Sequence, residues 1–280
     1  MRATNHGEGG VFAGAGLLRR TAAERSSWVG RAALVLATVS AALLVSDGVI
    51  TPALSVVSAV EGLKVVASFG SYNPVLPVTM VILSILFLVQ PFGSSKLGIV
   101  FAPTVIIWFL FIGLIGLYSI CLAPRVLYAF NPAYIVTWFQ RNNEAGWSAL
   151  GDVVLCFTGA EALYADVGFF GTKAVSTSFV LFVYPWILCS YVGQAAYVLT
   201  APSDISNSFY GSVPSYLVWP MVIVATAATL VASQAILSAS FSLASQAVSV
   251  GALPRLKIVH ISDTLAGQVD VPTVNWGMAV

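Results

Sequence analysis

Residues 98–122 read GIVFAPTVIIWFLFIGLIGLYSICL, 25 residues without one charge. A helix needs roughly 20 apolar residues to cross the hydrocarbon of a bilayer. This run is long enough, and no loop signal interrupts it. Working outward, comparable runs cover 32–58, 75–91, 148–170, 174–200 and 217–250. A seventh begins at Trp276. The run over 75–91 is the short one, and its far end carries Gln90-Pro91-Phe92-Gly93.

Composition agrees with these runs. The 280-residue chain is 58% hydrophobic and 8% charged, with mean hydropathy +0.91. A soluble domain carries roughly 25% charged residues. Too little charge is available to cover a soluble globule, which excludes an ordinary cytosolic enzyme and a disordered chain. A net charge of +1 supplies no field for phosphate backbones, so no nucleic-acid partner is expected. Outer-membrane barrels alternate in segments of about ten residues, whereas these runs are continuous. The expected class is an all-α integral membrane protein in a lipid bilayer.

Cys121, Cys156 and Cys189 each stand alone in apolar runs, and His6 and His260 lie near the two ends. No zinc or disulfide spacing exists, so the cysteines read as packing thiols and no cofactor is expected. Gly113 and Gly116, with small residues such as Ala225, Thr229, Ser233 and Ala239, read as close helix packing.

Residues 1–30 are Gly-rich and polar, without the apolar core of a signal peptide. With the N-terminus in the cytoplasm, inside segments carry nine Lys and Arg, and outside loops carry Lys64, Arg125 and Arg141. That bias supports a cytoplasmic N-terminus. The expected organisation is a cytoplasmic segment over 1–30, six spans within 31–250, and a cytoplasmic segment with the start of a further span over 251–280. The longest outside loop, about 123–147, holds Pro124, Asn131-Pro132 and Asn142-Asn143 as turn signals. Tyr128, Tyr134, Trp138 and Trp147 in it suit the aromatic belt of a membrane interface.

Acids inside apolar runs carry the functional signal. Asp47, Glu161 and Asp166 lie within spans, and no Lys or Arg shares their depth. A charge at the bilayer centre costs at least about 2.5–3.5 kcal/mol. Such acids are protonated, hydrated or paired with a cation; the plainer alternative is a neutral acid bonding between helices.

The first constellation is Ser46-Asp47-Gly48-Val49-Ile50-Thr51-Pro52-Ala53-Leu54-Ser55. Asp47, Thr51 and Ser55 are spaced i, i+4, i+8, which forms one polar stripe on a helix. Pro52 has no N–H, so the Gly48 carbonyl loses its helical donor. The stripe is about 12 Å long, too long for three ligands of one ion, and marks a path or neighbouring sites. The alternative is a Pro-kinked helix whose Ser and Thr bond back to the backbone.

The second constellation runs from Cys156 to Asp166, CFTGAEALYAD. Thr158 and Glu161 share a face, and Gly159 between them permits unwinding. An interrupted span with an acid at the break is how secondary transporters expose oxygens to an ion. Hydroxyl, carbonyl and carboxylate oxygens suit a hard monovalent cation. Asp166 reads as a proton relay or an inner-vestibule residue. The run Asn5–Gly10, NHGEGG, lacks a phosphate-loop pattern and reads alone as a flexible loop.

These residues resemble the KUP/HAK/KT potassium uptake transporters. The resemblance rests on Asp47–Ala53 (DGVITPA), Ala59–Leu63 (AVEGL), the GEGG of Gly7–Gly10, Leu155–Asp166 (LCFTGAEALYAD), Gly193–Ala196, Ala232–Ala235, Pro254-Arg255 and Val259-His260. It extends from about Asn5 to Trp276. It implies an inverted-repeat bundle of the amino-acid/polyamine/organocation, LeuT-like type, with potassium as substrate, proton coupling and a place in the plasma membrane. The chain then resembles the family's third to eighth spans; in the family, two spans with an Asp and a Tyr expected at the potassium site precede the GEGG run, and this sequence does not contain them. By motif, Asp47, Thr51 and Ser55 take third-span ligand positions, and Thr158 and Glu161 sixth-span ones. Ser46, Pro91, Asp152, Phe169 and Asp270 depart from the usual family residues. Other readings stay open: a truncated, non-transporting membrane protein, a subunit of a longer transporter, and an amino-acid permease of the same fold. Homo-oligomerisation is open too. None of these readings is an enzyme.

Overall fold

The computed structural model describes residues 12, 14–16, 27–66, 74–90, 98–156, 171–201, 207–249, 251, 253–260 and 269–279. Ten α-helices occur among them: α1 Ser27–Val66, α2 Val75–Val89, α3 Gly98–Leu122, α4 Ala133–Arg141, α5 Asn143–Leu155, α6 Thr172–Ser178, α7 Tyr184–Thr200, α8 Ser208–Gly211, α9 Val218–Ser249 and α10 Pro272–Ala279. Strands β1, Val259–His260, and β2, Val269–Asp270, pair antiparallel, with Val259 opposite Asp270. The described chain is mostly helical, and this two-residue ladder is its one addition to the all-α expectation.

Four helical stretches are long and apolar enough to cross a membrane: Trp28–Val65, Val100–Leu122, Thr172–Thr200 and Ser215–Ser249. In each, at most 39% of its apolar 18-residue window is buried inside the protein, which suits helices solvated by lipid tails. The run over 75–91 gives α2, whose 15 residues reach about 22 Å, short of the roughly 30 Å hydrocarbon. The run over 148–170 becomes a helix earlier than expected, at Asn143, and the described part stops at Leu155. The last helix begins at Pro272 rather than Trp276, because proline fits a first helical position.

The loop over 123–147 is itself helical. A 3-10 segment, Pro124–Phe130, leads into α4 and then α5. Its turn signals mark where these short helices start and stop. The Asn131 side chain accepts from the Ala133 N–H at 3.0 Å, and the Asn142 N–H closes α4 on the Trp138 carbonyl at 2.9 Å.

The chain forms two compact units. In the first, α1 packs along α9 and α2. Its buried seam reads Ala33, Ala37, Ala41, Leu44, Gly48, Pro52, Val56 and Val60. The steps are three or four residues, as one helix face requires. Small side chains dominate the first half, which lets backbones approach. There Ala37, Ala41 and Leu44 meet Leu243 and Ala247 of α9, with Phe12 and Ala15 from the N-terminal segment. Val56 and Val60 pack instead with Val75 of α2.

In the second unit, close glycine contacts join α3 to α7. A Cβ on Gly116 would overlap the Cys189 carbonyl, and one on Gly193 would overlap the Gly116 backbone. Gly113 seats the Trp186 ring. The expectation of tight packing at Gly113 and Gly116 is met. Between α6 and α7 lies one π turn, Phe179–Val183, where the Tyr184 N–H bonds to the Phe179 carbonyl. Pro185 explains it, since proline cannot accommodate the normal i−4 carbonyl. The cysteines need a correction. Cys121 and Cys156 are exposed and only Cys189 is half-buried, so burial in protein packing does not account for the first two.

Candidate functional site

Asp47 stands at the midpoint of the 40-residue α1. The sequence places it one residue off the buried seam, so it is half-buried beside fully seated Gly48. Thr51 and Ser55 follow one and two turns along and are half-buried too. The Thr51 Oγ1 hydroxyl donates to Asp47 Oδ1 at 2.5 Å. The carboxylate is acceptor-only when ionised, whereas a hydroxyl oxygen keeps lone pairs while donating. The pair therefore presents oxygens to one side of the helix, and among the described residues no Lys or Arg forms an ion pair with it. The one ion pair among the described residues, Lys64 with Glu61 at 3.3 Å, is exposed at the far end of α1.

Gly48 and Pro52 hold this stripe in place from behind. Pro52 is fully buried, and its ring nitrogen leaves the Gly48 carbonyl without a helical donor. An added Cβ on Gly48 would lie 2.8 Å from Ser240 Oγ of α9 and 2.6 Å from Met278 Cε of α10. Glycine permits this approach without displacing either side chain, and it brings α1 close to α9 next to Asp47. Ser240 is fully buried and its hydroxyl donates to the Ile236 carbonyl at 2.9 Å.

The structure thus joins Asp47 and Thr51 directly and sets Ser55 on the same stripe. Thr158, Glu161 and Asp166 lie outside the described residues, as does the GEGG run. Among the described residues no three His, Cys, Asp or Glu side chains converge as a metal cluster.

Sequence reasoning missed a second polar group in the first unit. Gln90, just past α2, donates through Nε2 to Gln234 Oε1 of α9 at 2.9 Å and to the Leu86 carbonyl at 3.4 Å. Both glutamines are buried. Asn275 of α10, 1% exposed, donates through Nδ2 to the Phe87 carbonyl at 3.3 Å. Asn275 Oδ1 and Asp270 Oδ1 are buried with no hydrogen-bond partner. Burial pushes the Asp270 carboxyl above the ordinary carboxylate value, and a hydrogen bond with the Val271 backbone pulls it partly back. The available signal was an amide or acid inside an otherwise apolar run, which is expensive unless partnered.

The sequence matches the model of a family described as K+ potassium transporter integral membrane domain over residues 1–280. Similar proteins include the probable potassium transport system protein Kup of Xanthomonas axonopodis pv. citri (strain 306). It is 47% identical over 279 residues, covering 99% of this chain and 43% of that protein. The protein of the same name from Cupriavidus pinatubonensis is 44% identical over 280 residues, covering 100% and 44%. The one from Xylella fastidiosa (strain 9a5c) is 44% identical over 278 residues, covering 99% and 43%. The chain thus spans less than half the length of these curated relatives. No solved structure matches it.

Proposed function

The chain belongs to the K+ potassium transporter family, and on that premise we propose that it serves in moving potassium ions across a membrane, as uptake coupled to protons. The relatives it matches bear the name of a potassium transport system, which supports the substrate. The observation that carries the reading is the Thr51 hydroxyl on Asp47 at 2.5 Å, midway along an apolar helix able to span a bilayer.

In this reading Asp47 compensates the ion's charge, and Thr51 and Ser55 supply neutral oxygens. Hard oxygen ligands suit a monovalent cation. Thr158 and Glu161 complete the oxygen set from a second, interrupted span, and Asp166 relays a proton. The stripe exceeds one coordination shell, so Asp47, Thr51 and Ser55 serve successive positions of the ion. No covalent step is involved. The arrangement belongs to an inverted-repeat, LeuT-like bundle in the plasma membrane, with the N-terminus in the cytoplasm.

The test is rubidium uptake by cells lacking their own potassium uptake and expressing this chain, with membrane insertion confirmed separately. Asp47→Asn and Glu161→Gln are measured beside it. Saturable uptake that either substitution abolishes supports the reading. Uptake unchanged by both, or none from an inserted chain, overturns transport by this chain through these acids.

A further inference from the structure

Helix α4, Ala133–Arg141, has nine residues and none of them is buried. At about 13 Å it is far too short to cross a bilayer. At 100° per residue, Tyr134, Trp138, Ile135, Phe139 and Val136 fill an arc of roughly 200°. Thr137, Gln140 and Arg141 fill the rest. Phe139 packs at the start of α5: its ring lies 5.9 Å from that of Trp147 and against Gly146. The remaining arc is uncovered, with Tyr134 57%, Ile135 60%, Val136 58% and Trp138 50% exposed. Withdrawing such half-exposed apolar side chains from water is favourable.

We infer that α4 lies in the boundary zone of a phospholipid bilayer, apolar arc toward the acyl chains, and pins α5 there through Phe139 and Trp147. Three observations select lipid as the occupant. The helix starts eleven residues after α3 ends at Leu122, where the chain leaves an apolar stretch able to span the membrane. Exposed apolar side chains recur between that helix and α4, at Leu122, Leu127, Tyr128 and Phe130. The arc is rich in Trp and Tyr, which favour the headgroup level, and Arg141 on the polar side suits phosphate. Because α5 runs to Leu155, three residues before Thr158, the anchor fixes the depth of the helix that leads into the second constellation. The inference depends on the chain being in a membrane, not on what it transports.

The experiment reconstitutes the full chain in phosphatidylcholine vesicles, recovered by flotation, and follows tryptophan fluorescence. Phospholipids brominated near the glycerol or near the chain end act as lipid quenchers, and iodide as the aqueous one. Subtracting the Trp138→Phe signal isolates Trp138. The expected result is strong quenching by the shallow bromines, weaker by the deep ones and little by iodide. Ile135→Trp in the Trp138→Phe background restores the bromine-quenched component, whereas Gln140→Trp adds an iodide-quenched one. Quenching of Trp138 by iodide alone would place α4 in water and sink the inference. Shielding from both quenchers, as a second copy covering the arc would give, overturns it equally. So does stronger quenching by the deep bromines, which would bury α4 in the hydrocarbon.

Discussion

The side-chain amides of Gln90 and Gln234 meet at 2.9 Å although 144 residues separate them. Each sits in a buried position, and the contact ties the end of α2 to the middle of α9. Gln90→Leu leaves the Gln234 carbonyl oxygen without its donor. That should cost about 1–3 kcal/mol, the desolvation penalty of a stranded buried group. Gln90→Leu combined with Gln234→Leu removes both polar partners and should recover most of the loss. Thermal unfolding of the purified single and double variants measures the coupling; additive losses would refute it.

The hydroxyl on Asp47 makes a sharper functional prediction. Thr51→Val keeps the shape of the side chain and deletes the donor. A hydrogen bond to a charged group contributes about 1.5–3 kcal/mol, or roughly a ten- to hundredfold change in apparent ion affinity. Thr51→Ser should restore it. Concentration dependence of rubidium uptake, or of rubidium binding to purified protein, reads the difference.

Packing at Gly48 leads to a graded series. Gly48→Ala places its Cβ 2.6 Å from the flexible end of Met278 and 2.8 Å from Ser240 Oγ. Overpacking of this kind costs about 1–3 kcal/mol. Met278→Ala should relieve part of it, since a side-chain end can be removed. Thermal stability of the two singles and the double variant is the check.

The glycines of the second unit should be less forgiving. At Gly116 and Gly193 the obstacle is backbone, which no side-chain deletion removes. Gly116→Ala and Gly193→Ala should each lose about 3 kcal/mol or more. Gly151→Ala, on an exposed face of α5 with nothing near its Cβ, should be neutral or slightly stabilising. Yield and thermal stability of folded protein separate the two classes.

Asp270 makes stability depend on pH. Burial raises its carboxyl above the ordinary value, so the folded state holds this proton more tightly than the unfolded state. Its favourable contribution is complete below the ordinary carboxylate range and is lost as pH rises through the raised value. Asp270→Asn should therefore flatten the profile across that window. On its alkaline side the variant should be the more stable of the two. Unfolding midpoints across the acidic range test the sign.

Much of this molecule is set by neighbours in sequence. Apolar runs determined the α1, α3, α7 and α9 stretches, because hydrocarbon accepts only segments that satisfy their own backbone. The four-residue spacing of Asp47 and Thr51 determined their meeting on one helix face, and Gly113 and Gly116 marked a close approach. What approaches them was not legible. That Gly48 faces Ser240 and Met278, or that Asn275 reaches the Phe87 carbonyl, depends on which helices lie side by side. An apolar run has the same pattern whichever neighbour it finds, so those choices rest on the fit of whole surfaces. The helices hidden in 124–155 illustrate the remaining case. Their turn residues were visible, but a nine-residue helix has little stability of its own, and its Phe139 contact with α5 appears only in three dimensions.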